Sequence, residues 1–275
     1  MGKVFAITNQ KGGVGKTTTA VNLAASLTET RRKVLLIDTD PQGNATMGSG
    51  VDKSNLSLTT CDVLLDTAVA DEVILQNVAA GHYDLIPANA DLTAAEVQLV
   101  SALRREYRLH DAMDKARDNY DFILIDCPPS LNMLTVNALV AASGVLIPMQ
   151  CEYYALEGLT ALMDTIKQIN RWANPNLVIE GILRTMFDPR NNLANDVSKQ
   201  LLEHFGERVY RTIIPRNVRL AEAPSYGTPV MQYDRNSRGA LAYLALAGEI
   251  LRRLQAETAS PPEAPAAKLT ESPQS

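Results

Sequence analysis

The chain has 275 residues, of which 46% are apolar and 21% are charged, and its formal net charge is −5. This is the composition of a globular protein with ample material for a large core, and no apolar run approaches the roughly 20 residues of a membrane-spanning helix. The negative charge excludes a protein that wraps nucleic acid over its whole surface, so a DNA site would be a local basic patch.

Apolar segments alternate with segments of helical spacing along most of the chain. The apolar segments predict strands at residues 3–8, 33–38, 120–126, 145–149, 178–186 and 209–214. Helical spacing predicts helices at about residues 16–30, 92–118, 132–142, 155–171, 194–205 and 237–254. This alternation predicts an α/β fold with a doubly wound, mostly parallel sheet flanked by helices.

Two stretches depart from the alternation. Residues 43–82 are rich in Gly, Ser and Thr, so we expect a long loop with short helices there. Residues 256–275 are rich in Pro, Ala and Ser and show no apolar period. We therefore expect a single domain over residues 1–255 and a disordered tail over residues 256–275.

A glycine-rich loop, QKGGVGKTT, occupies residues 10–18 between the first strand and the first helix. Gly15, Lys16 and Thr17 match the end of the P-loop pattern G-x4-G-K-[ST], but Gln10 stands where the first glycine belongs. Glycines let backbone N–H groups surround phosphate oxygens, and the helix N-terminus adds positive potential. Lys16 would bridge the β- and γ-phosphates, and the Thr17 hydroxyl would ligate Mg²⁺. The predicted ATP-binding residues are Lys11, Gly12, Gly13, Val14, Gly15, Lys16, Thr17 and Thr18.

Lys11 is the unusual residue of this loop, because one lysine suffices for a phosphate cradle. It is either a solvated surface charge or a second phosphate contact. The loop departs from the ordinary pattern next to this lysine, which favours the second interpretation.

Three aspartates lie at or just after the ends of predicted strands. Asp38 and Asp40 belong to IDTDPQGN, and Asp126 ends YDFILID. Ligands of doubly wound folds lie beyond the carboxyl ends of the strands, so these side chains should face the nucleotide. Asp126 has the form of a Walker B acid that holds Mg²⁺, and Asp40 could orient the attacking water. Asp38 could serve the metal or the structure equally, and each acid could instead cap a turn. The candidate Mg²⁺ ligands are Thr17, Asp126 and Asp40.

Basic residues concentrate late in the chain. Between residues 184 and 219, seven basic residues face four acidic ones, which gives a local charge of +3. Such a patch suits phosphate backbones, which supply affinity without sequence reading, although a solvated or ion-paired surface is the alternative from spacing alone. The seven are Arg184, Arg190, Lys199, Arg208, Arg211, Arg216 and Arg219.

Several motifs together resemble a known class of ATPases. KGGVGKTT, DTDPQGN and DCPPS resemble the ParA/MinD class of deviant Walker A ATPases. LRTMFDPRNNLANDV, VYRTIIPRNVRLAEAPSYGTPV and YDRNSRGA resemble the chromosomal ParA (Soj) branch. The resemblance extends to about residue 254, and it implies that the domain over residues 1–255 is a single P-loop ATPase domain.

The resemblance implies a nucleotide site shared between two subunits. ATP would join two copies of the chain into a homodimer that encloses the nucleotides. Lys11 matches the signature lysine that reaches the partner's phosphates, Lys16 matches the cradle lysine, and Asp40 matches the aspartate needed for hydrolysis. These three are the implied catalytic residues, and Pro215 and Asn217 are implied to contact the adenine.

The resemblance also implies macromolecular partners. ATP dimers of this branch bind double-stranded DNA without sequence preference, and a ParB-type centromere-binding protein stimulates the slow hydrolysis that releases them. Arg190 and Arg219 match the DNA contacts, with Arg216 and Lys199 as further candidates. The resemblance implies a cytoplasmic, nucleoid-associated protein that segregates chromosome or plasmid origins.

Three other functions occur on related scaffolds. A MinD-type positioning ATPase cycles on membranes through a basic amphipathic helix, for which residues 256–275 are too rich in proline, so we expect no membrane partner. A metal-cluster enzyme such as the nitrogenase iron protein needs cysteine ligands, but Cys61, Cys127 and Cys151 show no metal spacing and are expected to be reduced thiols. A transcriptional regulator without catalysis would not need Asp40 and Asp126.

Overall fold

The computed structural model of the protein describes residues 2–114 and 116–259. The strands of the described residues are β1 (Lys3–Ile7), β2 (Val34–Asp38), β3 (Leu75–Asn77), β4 (Tyr83–Ile86), β5 (Phe122–Asp126), β6 (Gly144–Gln150), β7 (Val178–Phe187) and β8 (Val209–Pro215). Their helices are α1 (Lys16–Glu29), α2 (Asn44–Gly48), α3 (Thr60–Leu65), α4 (Ala70–Val73), α5 (Val78–Gly81), α6 (Leu92–Leu99), α7 (Arg108–Met113), α8 (Met133–Ala141), α9 (Ala155–Trp172), α10 (Asn192–Phe205), α11 (Val218–Glu222), α12 (Val230–Tyr233) and α13 (Arg238–Ala259).

All of these strands join one sheet in the order β3-β4-β2-β5-β1-β6-β7-β8. The pairing of β3 with β4 is antiparallel, and the other described pairs are parallel. The predicted doubly wound, mostly parallel α/β fold is therefore confirmed. Because the chain builds the sheet on both sides of β1, the loop that follows β1 lies where such folds bind their ligands.

Helices cover both faces of the sheet. One core lies between the sheet and a layer that includes α1, α12 and α13, and the other between the sheet and a layer that includes α8, α9 and α10. The central strands β2 and β5 are buried along their whole length, which explains why their sequences are continuous apolar runs. The face of α1 that carries Ala20, Leu23, Ala24 and Leu27 is buried as its spacing predicts.

The prediction of one helix over residues 92–118 is wrong. The chain forms α6 and α7 with turns between them, and a 3₁₀ turn follows at Ala116–Asp118. Arg104 in the connection has a φ of 52°, which lies outside the right-handed helical region. Its guanidinium pairs with the Asp111 carboxylate at 2.9 Å. Two short helices that both bury leucines thus produced one continuous helical pattern.

Residues 43–82 contain the expected short helices, but also the strand β3, which the sequence did not predict. After the short helix α5, β4 pairs with β2 inside the sheet, with Leu85 opposite Leu36. Both strands were missed because three or four residues are too few to show a periodic pattern. At the other end of the chain, α13 continues to Ala259, past the predicted domain end at residue 255. Residues 260–275 of the predicted tail lie outside the described residues.

The edge strand β8 is covered by side chains from α13. The Glu249 carboxylate accepts hydrogen bonds from the backbone N–H groups of Arg211 and Thr212, both at 2.8 Å. The Arg253 guanidinium donates to the carbonyl of Val209 at 3.0 Å. Unpaired edge groups attract foreign strands, so this pair of side chains closes the edge that adjoins the basic segment.

The contact between β7 and β8 generates a stability prediction. A Cβ on Gly181 would lie 2.4 Å from the ring of Tyr210, which is fully buried and cannot move aside. We expect Gly181→Ala to lower the free energy of unfolding by about 1–3 kcal/mol, measured by urea denaturation. Gly158→Ala in α9 is the matched control, because a Cβ there meets no atom within 4 Å. It should be neutral or stabilise by about 0.5–1 kcal/mol, and equal effects of the two changes would contradict the packing argument.

Candidate functional site

The glycine loop forms an open cradle between β1 and α1. Gly13 and Gly15 have φ values of 72° and 89°, in the left-handed region that residues with a side chain rarely adopt. A Cβ added to Gly12 or to Gly13 would meet no atom within 4 Å, so the loop borders free space. Backbone N–H groups and the N-terminus of a 14-residue helix surround this space, which is the arrangement that binds phosphates.

Neighbouring strands hold the loop in place through polar contacts that the sequence did not reveal. The Thr185 hydroxyl of β7 donates to the carbonyl of Val14 at 2.7 Å. The Asn9 side chain accepts from the N–H of Lys11 at 3.0 Å and donates to the carbonyl of Pro148 at 2.8 Å. Asn9 and Pro148, like Val14 and Thr185, lie more than 130 residues apart in the chain. The cradle is therefore fixed to β6 and β7 and not only to its own strand and helix.

Lys16 lies inside the cradle and is nearly buried. Its ammonium donates to the carbonyl of Lys11 at 3.2 Å, so the side chain follows the loop. Burial lowers the pKa of Lys16, and the nearby carboxyl groups of Asp126 and Asp40 oppose that shift. A desolvated cation held against a ring of N–H groups is well placed to bind phosphate oxygens.

Lys11 lies on the outer side of the same loop and points away from the cradle. Its ammonium pairs with the carboxylate of Glu152, two residues after β6, and about half of each side chain is exposed. In this structure Lys11 is thus an ion-paired surface charge, and its contact with a phosphate stays a prediction. Glu152 was not identified from the sequence, because the two residues are 141 positions apart.

Asp38 and Asp126 end adjacent strands at the same level of the sheet, directly opposite each other. Asp38 is fully buried, and its carboxylate accepts hydrogen bonds from the Thr46 N–H and hydroxyl, both at 2.8 Å, and from the Asp40 N–H at 3.1 Å. Burial raises its pKa to about 6 despite these bonds. Asp38 therefore holds α2 and Asp40 in place.

Asp126 is equally buried, but neither of its carboxylate oxygens accepts a hydrogen bond of acceptable geometry. Burial and then the charge of Asp38 raise its pKa well above the usual range, and the nearby Thr17 hydroxyl lowers it to a smaller extent. A buried carboxylate without partners is costly unless a cation binds it. The position beside Thr17 and Lys16 fits a Mg²⁺ ion, which is commonly held by one or two carboxylates together with substrate phosphates.

Asp40 lies two residues beyond the end of β2 and is nearly buried. One carboxylate oxygen accepts the N–H of Gln42 at 2.9 Å, so the side chain belongs to a tight turn. Its charge is felt at both Lys16 and Asp126. The structure thus brings Asp40 to the cradle together with Lys16, Thr17 and Asp126, as the sequence predicts.

An apolar cavity of about 170 Å³ lies beside the cradle. Gly15 and Thr18 form one side of it, and Pro215, Arg216 and Asn217 form another. The structure therefore brings the predicted adenine-contacting segment to the phosphate loop. A larger groove of about 550 Å³ lies at the amino ends of β2 and β4, but it is open, polar and remote from the glycine loop.

Three of the predicted DNA residues, Arg190, Arg216 and Arg219, follow shortly after the carboxyl ends of β7 and β8, and Lys199 lies in the middle of α10. Phe187 and Pro215 are paired in the sheet, so the loops that carry Arg190 and Arg216 are neighbours. Arg190 is highly exposed and pairs with Asp188 at 2.8 Å, and Lys199 lies 3.8 Å from Glu203. Arg219 is half-exposed and pairs with Glu222 at 2.9 Å and with Asp234 at 3.3 Å.

Arg184 does not belong to this surface, although the sequence analysis counted it in the patch. It is buried, and its guanidinium donates to Ser198 at 2.8 Å and to the carbonyl of Tyr210 at 2.9 Å. Its role is to fasten α10 and β8 to β7. Without it, six basic and four acidic residues remain in the segment, a local charge of +2 in place of +3.

The cysteines are buried free thiols. Burial raises the pKa of Cys61 and of Cys151 to about 11, and that of Cys127 further still, so none is predisposed to act as a thiolate ligand. Within residues 2–114 and 116–259, no helix is both long and apolar enough to cross a bilayer.

Comparison with known proteins agrees with this geometry. The AAA domain family matches residues 2–179. The chain is 51% identical to the sporulation initiation inhibitor protein Soj of Bacillus subtilis over 91% of its own length and 98% of that protein. It is 50% identical to the chromosome partitioning protein ParA of Myxococcus xanthus over 92% and 89% of the two chains. The structure of cobyrinic acid a,c-diamide synthase from Mycobacterium smegmatis with bound ADP and magnesium is 36% identical, has a TM-score of 0.82, and matches 94% of this chain and 97% of that one.

The sheet order, the cradle and the two buried carboxylates define a P-loop ATPase of the deviant Walker A class. With about half of the residues identical over nearly the full length of Soj and ParA, the chain belongs to the ParA/Soj family of chromosome-partitioning ATPases.

The contrast between the two buried aspartates generates a prediction about stability and pH. The pKa of Asp126 is higher in the folded state than in the unfolded state, where it is about 4. The folded protein therefore holds this proton more tightly, and the free energy of unfolding falls as pH rises above about 4. Asp126→Asn replaces the acid with a neutral side chain whose burial does not depend on pH, so in Mg²⁺-free and nucleotide-free buffer at pH 7.5 it should raise the free energy of unfolding by about 1–3 kcal/mol. The gain should shrink at lower pH. Urea denaturation at pH 5 and 7.5 measures both effects.

Asp38→Asn is the matched control for that prediction. An amide has a single acceptor oxygen, so it cannot keep the bonds that both Asp38 oxygens accept from Thr46 and Asp40. Asp38→Asn should therefore destabilise the protein. A loss of stability in Asp126→Asn at pH 7.5 would contradict the account of Asp126 as an acid whose ionisation is opposed by burial.

Proposed function

We propose that this protein is a DNA-binding partition ATPase whose dimers form around ATP, bind double-stranded DNA without sequence preference and leave it after hydrolysis. A ParB-type centromere-binding protein stimulates that hydrolysis, and the cycle segregates chromosome or plasmid origins in the cytoplasm on the nucleoid. The observation that carries the proposal is the unpartnered, buried carboxylate of Asp126 beside an open phosphate cradle.

ATP binds with its phosphates in the cradle and its adenine in the adjoining cavity. The backbone from Lys11 to Thr18 and the Lys16 ammonium hold the phosphates, and Pro215 and Asn217 contact the adenine. The Asn217 side chain caps α11 by accepting the N–H of Leu220 at 3.3 Å, so its position is fixed by the fold. The solved structure with bound ADP and magnesium supports this placement, because it shares the fold at 36% identity.

Thr17 and Asp126 hold the Mg²⁺ ion, with Asp40 within electrostatic range of the same position. The ion supplies charge neutralisation between the β- and γ-phosphates when it is bound. Asp40 orients the attacking water, since it lies at the end of the sheet where the cradle opens and the turn to Gln42 fixes its carboxylate. Asp38 acts through Asp40 by holding its backbone N–H.

Lys11 completes the active site of a partner subunit. The exposed position on the outer side of the loop supports this role, because such an ammonium can leave Glu152 and reach a second copy of the chain. Tyr153 and Tyr154 follow Glu152 with about three quarters of each side chain exposed, and their rings pack edge to face at 4.9 Å. Exposed aromatic rings of this kind are typical of the contact surface between subunits.

Arg190, Arg219, Arg216 and Lys199 bind the DNA backbone. Arg190 and Arg216 follow the ends of two adjacent strands, Arg219 lies on α11 and Lys199 on α10. The segment that carries them has a local charge of +2 without Arg184, in a chain of net charge −5. Two such surfaces in a dimer would hold DNA more tightly than one by raising the effective concentration of the second contact. Dissolution of the dimer after hydrolysis then releases the DNA.

Turnover of ATP tests the proposed cycle. The rate of phosphate release should be low for the protein alone and should rise when DNA and the ParB-type partner from the same genome are both present. Asp40→Ala should bind ATP but show no rise, since the water would lack its orienting carboxylate. Stimulation by anionic lipid vesicles in place of DNA would refute the proposal and favour a membrane-cycling ATPase.

The two lysines of the loop should separate nucleotide binding from dimer formation. Lys16→Ala should weaken ATP binding by about 10- to 100-fold, because it removes a charge-assisted contact inside the cradle. Lys11→Ala should bind ATP within about threefold of the wild type but remain monomeric with a non-hydrolysable analogue. Fluorescent-nucleotide titration and light scattering measure the two properties.

Lys167→Ala serves as the control for that pair, because Lys167 forms an exposed ion pair with Asp164 at 3.0 Å on α9. It should leave both properties unchanged. Normal dimer formation by Lys11→Ala would show that this lysine does not act across subunits.

A further inference from the structure

Arg219 is held by an acid–aromatic cluster formed by Glu222, Tyr233, Asp234 and Tyr226. Its Nη1 atom lies 2.9 Å from the Glu222 carboxylate, and its Nε atom lies 3.3 Å from the Asp234 carboxylate. The guanidinium lies 5.9 Å from the centre of the Tyr233 ring. One arginine is thus bound by two carboxylates and an aromatic face.

The cluster is also connected internally. The Tyr233 hydroxyl donates to the same Glu222 oxygen at 3.2 Å that binds Arg219, and the Tyr226 ring packs on the Tyr233 ring at 4.9 Å. The hydrogen bond to Glu222 also raises the pKa of Arg219, so the guanidinium keeps its charge throughout the accessible pH range. The acids therefore neutralise Arg219 electrostatically without changing its protonation.

The segment that carries the acids is fixed to the nucleotide-binding half of the molecule. The N–H of Val230 donates to the Asn22 side chain of α1 at 2.7 Å. Gly227 touches Gly50 so closely that a Cβ on Gly227 would lie 2.9 Å from the Gly50 Cα atom. Asp234 then follows α12, whose first residue is Val230. These contacts fix the backbone between Glu222 and Asp234 against α1 and Gly50.

We propose that Glu222 and Asp234 form an intramolecular competitor for DNA, a pair of affinity-setting residues that lowers the strength of the Arg219–phosphate contact. The inference rests on the proposed role of Arg219 in DNA binding and goes beyond it. A phosphate that binds Arg219 must share the guanidinium with the two carboxylates and experiences their repulsion. The two carboxylates therefore lower the affinity of Arg219 for a DNA phosphate. A lower affinity suits the proposed cycle, in which the protein leaves DNA repeatedly.

The test compares DNA affinity of the full chain with and without the two acids. The variant E222Q/D234N keeps the shapes of the two side chains and one acceptor oxygen on each, but removes both charges. Binding to a mixed-sequence DNA duplex is measured by fluorescence anisotropy with a non-hydrolysable ATP analogue and Mg²⁺, over about 50 to 200 mM salt. We expect the variant to bind about tenfold more tightly at the low end of that range. The plot of the logarithm of the association constant against the logarithm of salt concentration should also become steeper, by about 0.9 for each arginine that gains a phosphate contact.

Two controls separate the cluster from a general charge effect. D66N/D164N removes two exposed acids that pair with Arg108 and Lys167 elsewhere on the surface, so it matches the change in net charge without touching Arg219. It should leave the affinity near that of the wild type. In the Arg219→Ala background, E222Q/D234N should have no effect, because the group for which the acids compete is absent.

The outcomes distinguish this inference from the proposed function. If Arg219→Ala alone binds DNA as tightly as the wild type, the proposed DNA contact fails. If Arg219→Ala weakens binding but E222Q/D234N binds like the wild type or more weakly, the competitor is refuted while the contact stands. Thermal unfolding of E222Q/D234N verifies that it is folded, and an equal gain from D66N/D164N would also overturn the inference.

Discussion

The parallel pairing of β1, β2 and β5 sets the geometry on which the site depends. Asp38 lies opposite Asp126, and Asp126 lies opposite Ile7, so three strands end at one level. The glycine loop begins just beyond Ile7, and the two carboxylates therefore meet the cradle without any long side chain having to reach it. Parallel sheets need helices on both faces, which explains why this edge is enclosed well enough to desolvate Lys16 and both acids.

Burial of a carboxylate costs desolvation free energy, and the two aspartates differ in how far hydrogen bonds compensate for that cost. Three hydrogen bonds stabilise the Asp38 carboxylate, and through them it organises α2 and the turn that contains Asp40. Asp126 has no comparable bonds and so remains available to a cation. The two residues have the same burial and almost the same position, and they differ in the hydrogen bonds that their carboxylates accept.

Much of the fold and of the cradle could be predicted, because the signals are local. Gly15, Lys16 and Thr17 lie within one turn of a helix start, and Asp126 ends a continuous apolar run. Contacts between distant residues could not be predicted. The hydrogen bond of Thr185 with Val14 and the ion pair of Glu152 with Lys11 join segments that no sequence motif connects. Arg184 shows the same limit, because a count of charges cannot tell that one arginine points into the core.

Four of the proposed functional cations share one further property. Lys11, Arg190, Lys199 and Arg219 each have a carboxylate within 4 Å on their own chain, whereas Lys16 inside the cradle is held by a backbone carbonyl. Exposed ion pairs of this kind contribute only about 0–1 kcal/mol, so phosphate groups can displace them. When a phosphate displaces the carboxylate, one ion pair replaces another, and the net gain in binding free energy stays small. A protein that assembles and dissolves repeatedly needs contacts of this strength: specific in geometry, weak one at a time, and effective only when nucleotide and DNA engage several of them together.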